Sequence, residues 1–220
     1  MEENIAILMA DLSGYTALTE THGAVSAADL IDKYVEIVQD CLCGDCELFE
    51  RTGDEVMIVS ATSDFLLATA IKIMKETSRE DKFLQVHGGL HYGNVLKRKN
   101  GYFGSAINLT SRIAAKAAPG TFWCSEEFIQ SLSKKSIVPL HSKGSHHLKN
   151  ITGKREMYEL RNDENSAFFI DPVCRMRILD TDKAIKYSEA EDIFFCSPGC
   201  LDIYTRNQLA VLKDQLHQTE

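Results

Sequence analysis

Ile5-Ala6-Ile7-Leu8-Met9-Ala10 runs without a break into Asp11-Leu12-Ser13-Gly14, and this junction decides how the first fold is read. Six apolar residues bounded by a turn signal read as a strand covered on both faces, with a helix beginning behind the turn. Ser26-Ala27-Ala28-Asp29 has the look of a capping box, predicting a helix to about Gln39 with Leu30, Ile31, Tyr34, Ile37 and Val38 on one face. Residues 46–51 and 55–60 then read as two strands around Thr52-Gly53-Asp54, a hairpin with a tight turn. Helix returns at about 65–75, where Leu66, Ala70, Ile73 and Met74 supply the apolar stripe. Strands are expected at 84–91 and 94–97, then a helix at 105–117 ending before Pro119-Gly120. A strand at 121–124, a short helix at 126–132 and strands at 137–143 and 157–160 close the region. Helices laid between strands of the hairpin type fit an α+β, ferredoxin-like sandwich better than a doubly wound sheet.

Arg161-Asn162-Asp163-Glu164-Asn165-Ser166 is polar and aperiodic, so a domain boundary is expected there, dividing residues 1–161 from a small domain at 162–220. The hydrophobic fraction of 44% and charged fraction of 25% are those of an ordinary globular protein, and no apolar run is long enough to cross a bilayer. Met1-Glu2-Glu3-Asn4 is acidic where a secretory signal needs positive charge, so a cytoplasmic location with no membrane partner is expected. A net charge of −8 speaks against nucleic acid, which needs a basic face. An anionic small substrate is not excluded, because local residues and metal ions set the field in a pocket. The seven cysteines, an odd number without an export signal, point to free thiols or metal ligands rather than disulfides. Cys41-x-Cys43-x-x-Cys46 has metal-clip spacing but joins a helix end to a strand, where packing is the readier explanation.

Asp11 ends a buried strand and Asp54 sits in a hairpin turn. In a βαββ unit the central strands are neighbours, so the two carboxylates can converge, and paired carboxylates hold divalent metals suited to phosphoryl transfer. Ser13-Gly14-Tyr15-Thr16 leads into a helix N-terminus, a seat for phosphate. Taken alone, a strand-end Asp is more often an N-cap and Gly-Asp more often a plain turn. Asn108 and Arg112, four apart on a helix that buries Ile107 and Ile113, share one face, which from that segment alone reads more readily as a solvated one.

Together these segments resemble the class III adenylyl/guanylyl cyclase family. The motifs are Ala10-Asp-Leu-Ser-Gly-Tyr-Thr16, Thr52-Gly-Asp-Glu-Val-Met57, Gly89-Leu-His-Tyr-Gly93, Tyr102 to Arg112, Pro119-Gly120 and Gly144-Ser-His-His-Leu-Lys149, in family order over residues 4–161. The resemblance implies Asp11 and Asp54 as ligands of Mg2+ or Mn2+, with Leu12, Ser13, Gly14, Tyr15 and Thr16 beside the substrate. It implies Asn108 at the ribose, Arg112 at the α-phosphate and Lys149 at the terminal phosphates. It also implies conversion of ATP or GTP to the 3′,5′-cyclic nucleotide and pyrophosphate in a homodimer whose sites span the interface. Glu50 and Gly101 match the two purine-selecting positions: Glu50 has guanine-type chemistry, whereas Gly101 contributes no side chain. That gap leaves a catalytically weak or inactive nucleotide-binding domain as the alternative. His91, in the Gly-x-His-x-Gly stretch, is expected to be structural, and His146 and His147 to lie on a loop.

Asp171-Pro172-Val173-Cys174-Arg175-Met176 and Phe194-Phe195-Cys196-Ser197-Pro198-Gly199-Cys200 resemble the YHS domain, a relative of TRASH metal-binding modules. Ser197 can cap a helix with Pro198 at its first position, leaving Cys196 and Cys200 at the turn where the helix dipole favours thiolate. Three thiolates suit Zn2+ or Cu+. A fourth ligand is not evident, although Asp171 or Met176 could reach. So short a segment has little core of its own, and metal or docking would support it.

Overall fold

The computed structural model describes residues 1–99, 101–133, 140–162 and 167–217. Strand β1 (Glu2–Ser13) is buried at every position from Ile5 to Ala10, as expected for a strand inside a sheet with both faces covered. Helix α1 (Tyr15–Cys41) follows, then β2 (Glu47–Thr52), β3 (Glu55–Ser60), α2 (Ser63–Arg79) and β4 (Gln85–Arg98). This is the βαββαβ succession of ferredoxin-like folds, and its strands lie in the order β2-β3-β1-β4. The sheet continues through β6 (Thr121–Ser125), β8 (Lys154–Arg161) and β7 (Leu140–His147), while β5 (Gly101–Phe103) pairs with β4. β4 and β6 run parallel and the other recorded pairs antiparallel, so the fold is mixed α+β. Helices α3 (Ser105–Ala114) and α4 (Glu126–Ser131) complete this part.

Packing explains the positions of the helices. α2 buries Leu66, Leu67, Ala70, Ile73 and Met74 along one stripe, with Asp64 in its first turn and Arg79 in its last, both complementing the helix dipole. α3 lays Ala106 and Ala114 on Ile5, Ile7 and Met9 of β1. Gly89 of β4 makes this approach possible: a Cβ there would stand 2.4 Å from the Ala114 nitrogen and 2.7 Å from the Thr110 carbonyl oxygen.

α1 is interrupted at Gly23 (φ 81°, ψ 170°), so Ser26 already lies inside helix and does not open one. The glycine, three residues upstream, sets the break before a capping box could form. The two strands expected at 84–97 are one, β4. His146 and His147 are strand residues, because β7 pairs with β8 as far as His147↔Lys154. Of the strand expected at 137–143, residues 137–139 lie outside the described residues, as do 163–166 of the expected boundary.

The chain groups into two units. One comprises the described residues of Met1–Ser13, Ile31–Ser78 and Val86–Glu164, and the other those of Gly14–Leu30, Arg79–Gln85 and Asn165–Glu220. In the second, β9 (Phe169–Ile170) pairs with β10 (Arg177–Ile178) and β11 (Ile185–Lys186) with β12 (Phe194–Phe195), ahead of α5 (Pro198–His217). Around the cysteines Tyr187 meets Phe195 and Tyr204 edge-on, while Phe195 and Tyr204 lie tilted against each other. Residues 81–83 join by backbone pairing: Arg177 N–H donates to Phe83 O at 2.8 Å and Lys82 N–H to Arg177 O at 2.9 Å.

Candidate active site and cysteine centre

The register of β1 on β3, with Ala10 opposite Val56, carries Asp11 to the turn where Asp54 sits between β2 and β3. The two carboxyl groups are in hydrogen-bond contact, and burial raises the pKa of each. Asp54 is pushed up to about 6, first by loss of solvent and then by the Asp11 carboxyl. Two carboxyl groups so placed hold a proton between them up to about pH 6 unless a cation neutralises them. Among the described residues Asp11 Oδ1, which is buried, has no hydrogen-bond partner. A buried carboxylate oxygen left free beside a second carboxylate suits a divalent cation, so Mg2+ or Mn2+ fits this donor set.

Three further groups surround the pair. His87 on β4 lies 2.9 Å through Nδ1 from Ser13 Oγ and is hydrogen-bonded to the Asp11 backbone; burial lowers its pKa. Burial, then the Asp54 and Glu50 charges, raise that of Glu55. Tyr34 of α1 is fully buried, its Oη has no partner among the described residues, and its pKa is raised well above the usual phenol value by burial and by Asp11, Asp54 and Glu55. None of the three stands out in the sequence: Tyr34 reads as one member of an apolar face, and His87 and Glu55 as ordinary strand residues.

Asn108 is exposed and Arg112 half-buried on α3. Leu148, packed on Leu109 and Ile113, docks the turn carrying Lys149 on that same helix. Among the described residues no hydrogen bond or ion pair joins Asn108, Arg112 or Lys149 to the carboxylate pair, so the site residues form two sets. Glu50 is exposed on β2. Its neighbour Phe49 on β2 packs on Tyr102 of β5, next to Gly101, with ring centroids 4.7 Å apart, although β2 pairs with β3 and β5 with β4. His91 is buried, with Nδ1 2.8 Å from Ser125 Oγ, the same oxygen that caps α4 by accepting from Phe128 N–H.

In the second unit α1 begins at Tyr15, and Leu18 N–H donates to Gly14 O at 3.0 Å. The amides of the helix's first turn therefore lack intrahelical acceptors. Gly14 (φ 96°) is needed here, since a Cβ would lie 2.5 Å from Arg175 Cβ.

Cys174 and Cys200 are fully buried, and the Cys196 sulfur lies 3.4 Å from that of Cys174 and 3.6 Å from that of Cys200. Ser197 caps α5 through Cys200 N–H at 3.3 Å. Asp171 Oδ1 accepts from Val173 and Cys174 N–H and Oδ2 from Cys196 N–H, so one buried carboxylate clamps both cysteine-bearing turns. Its oxygens are thereby committed to the backbone, and Asp171 is not the fourth donor. Met176 packs in the apolar cluster around the cysteines. Beside the thiols stands His22, whose Nε2 is 3.4 Å from Cys196 Sγ and 3.5 Å from Cys200 Sγ. A single histidine more than 150 residues upstream has no spacing signal to reveal it. The Cys41 cluster is different: Cys43 Sγ donates to Cys41 O, Thr69 Oγ1 donates to Cys46 Sγ, and burial pushes the Cys41 thiol up to about 11. Among the described residues these three thiols form no cation-holding group.

Residues 1–162 match the profile described as the adenylate and guanylate cyclase catalytic domain. An uncharacterized protein of Mycobacterium tuberculosis is 38% identical over 112 residues, covering 50% of this chain and 30% of that one. A pH-sensitive adenylate cyclase of the same species is 26% identical over 128 residues, covering 58% and 32%. The chain thus spans about a third of the length of these relatives. A structure of adenylate cyclases from Trypanosoma brucei in their monomeric state superposes with a TM-score of 0.67 at 17% identity, over 75% of this chain and 91% of that one. At that identity the likeness speaks for the fold.

Proposed function

This chain belongs to the adenylate and guanylate cyclase catalytic domain family, and we propose that it converts ATP or GTP to the 3′,5′-cyclic nucleotide and pyrophosphate as a homodimer in intracellular signalling. The observation that carries the reading is the Asp11–Asp54 pair, with its buried, unpartnered Asp11 oxygen. In the reaction the ribose 3′-oxygen bonds to the α-phosphorus as the bond from that phosphorus to the bridging oxygen breaks. Pyrophosphate leaves with the electron pair, and the 3′-hydroxyl proton passes to water and, on balance, to the released pyrophosphate. Asp11 and Asp54 would hold Mg2+ or Mn2+, which would supply charge neutralisation for the triphosphate.

The chain's own residues divide the remaining work. Asn108 holds the ribose, Arg112 meets the charge developing at the α-phosphate, and Lys149 meets the terminal phosphates. The backbone of Leu12, Ser13, Gly14, Tyr15 and Thr16 lies along the triphosphate at the start of α1. Glu50 accepts from the purine edge, with Gly101 opposite it. Two sets of residues that, among the described residues, no hydrogen bond or ion pair joins within one chain are what a shared site in a homodimer would require, which supports the two-chain reading. Residues 1–161 are taken as the cyclase domain and 162–220 as a YHS-type domain whose Cys174, Cys196 and Cys200 bind Zn2+ or Cu+. Among the described residues no helix is long and apolar enough to cross a membrane. A cytoplasmic setting agrees with seven free thiols.

The test is product identification. Purified protein with Mn2+ and either ATP or GTP should yield the cyclic nucleotide, resolved by mass and chromatographic retention, together with pyrophosphate. Neither product from either nucleotide overturns the reading.

A further inference from the structure

We propose that His22 is the fourth ligand of a tetrahedral Zn2+ site made with Cys174, Cys196 and Cys200, so that the ion ties the C-terminal cysteine segment to the first turns of α1. The inference rests on the metal-binding reading of the three cysteines and adds the donor that their own segment lacks. Its basis is the spacing of the donor atoms. Zinc bonds of about 2.3 Å to sulfur and about 2.0–2.1 Å to nitrogen, set at tetrahedral angles, separate ligands by about 3.8 Å for two sulfurs and about 3.6 Å for sulfur and nitrogen. The four recorded separations run from 3.4 to 3.6 Å. All four donor atoms lie within 4.8 Å of one another. The sulfurs are too far apart for a disulfide, which needs about 2.05 Å.

The surroundings also have the form of a built site. The donors arrive from three separate stretches of chain: α1, the turn after Asp171, and the start of α5. Asp171 fixes the Cys174 and Cys196 backbones, as outer-sphere carboxylates do around metal centres. Three sulfurs and one imidazole nitrogen make a closed Cys3His set, with no position left for substrate. The site is thus a fastener. It lies on the helix that opens at Gly14, eight residues before His22, so loading the ion orders the start of that helix.

The full chain, stripped with a chelator, is titrated with Co2+ as a spectroscopic probe and then with Zn2+ against a chromophoric competitor. Wild type should take one equivalent of Co2+ with the intense visible bands of a tetrahedral site and thiolate-to-cobalt charge transfer. His22→Ala should lower Zn2+ affinity by about 100-fold or more, beyond the roughly 10–100-fold expected for an outer-sphere partner, and change the visible bands. His22→Cys should restore tetrahedral intensity and add one thiolate's charge transfer, which decides the matter if the alanine variant does not fold. Unchanged spectrum and affinity in His22→Ala, or no added charge transfer in His22→Cys, overturns the role of His22 while the cysteine reading stands. No Co2+ or Zn2+ bound by wild type overturns both, and leaves the cyclase reading untouched.

Discussion

Replacing Asp54 by Asn should make the divalent-free protein more stable while abolishing its chemistry. In the folded chain Asp54 is pushed up from 3.8 to about 6, first by burial and then by Asp11. The native state therefore holds this proton more tightly than the unfolded chain does. That contribution to stability is complete below about pH 3.8 and is lost as pH rises through about 6. At about 1.4 kcal/mol per tenfold change, the full effect is about 3 kcal/mol. Asp54 is only half-buried, so solvent screening reduces this to about 1–2 kcal/mol. For a chain of this length each kcal/mol moves the melting temperature by about 2–4 °C, so Asp54→Asn should melt about 2–8 °C higher at pH 7.5. The assay is scanning calorimetry in buffer free of Mg2+ and Mn2+, at pH 7.5 and at pH 4. The gap should shrink at pH 4, where wild type has regained its proton. Saturating Mn2+ should raise wild type far more than the variant, because binding to the native state stabilises it by mass action. A variant that melts at or below wild type at pH 7.5, or a gap unchanged at pH 4, refutes the reasoning.

Other substitutions separate the parts of the site. Arg112→Ala should cut turnover about 100-fold or more with unchanged circular dichroism, since a preorganised donor contributes about 3–4 kcal/mol to the transition state and the side chain is only half-buried. Tyr34→Phe should raise the midpoint of urea denaturation, because a buried hydroxyl without a partner costs about 1–3 kcal/mol. Gly89→Ala places a methyl against the α3 backbone, which cannot yield as a side chain can. It should destabilise by about 1–3 kcal/mol in denaturant melts and lower kcat, since Asn108 and Arg112 ride on that helix.

What the sequence discloses depends on how local each cause is. Asp11 and Asp54 are readable because a strand end and a tight turn are short-range signals, and their meeting follows once β1 pairs with β3. The cap at Ser197 is readable for the same reason. Ser26 shows a local signal losing to a nearer one, the break at Gly23. His146 and His147 depend on pairing with Arg155 and Lys154, a long-range event that no local pattern around them announces. Tyr34 and His87 become noteworthy only through neighbours that the sheet brings to them. His22 is the extreme case: its partners sit at 174, 196 and 200, and only the folded chain assembles the four.

The most direct test of the account is complementation between two inactive variants, Asp54→Asn and Arg112→Ala, mixed in equal amounts and allowed to exchange subunits. If catalysis needs the carboxylate pair of one chain and the α3 residues of its partner, each mixed dimer regains one intact site of two. Half of all dimers are mixed, so cyclic nucleotide formation should recover to about a quarter of wild type in a symmetric dimer. A mixture as inactive as either variant alone, beside an active wild type, would contradict the shared site.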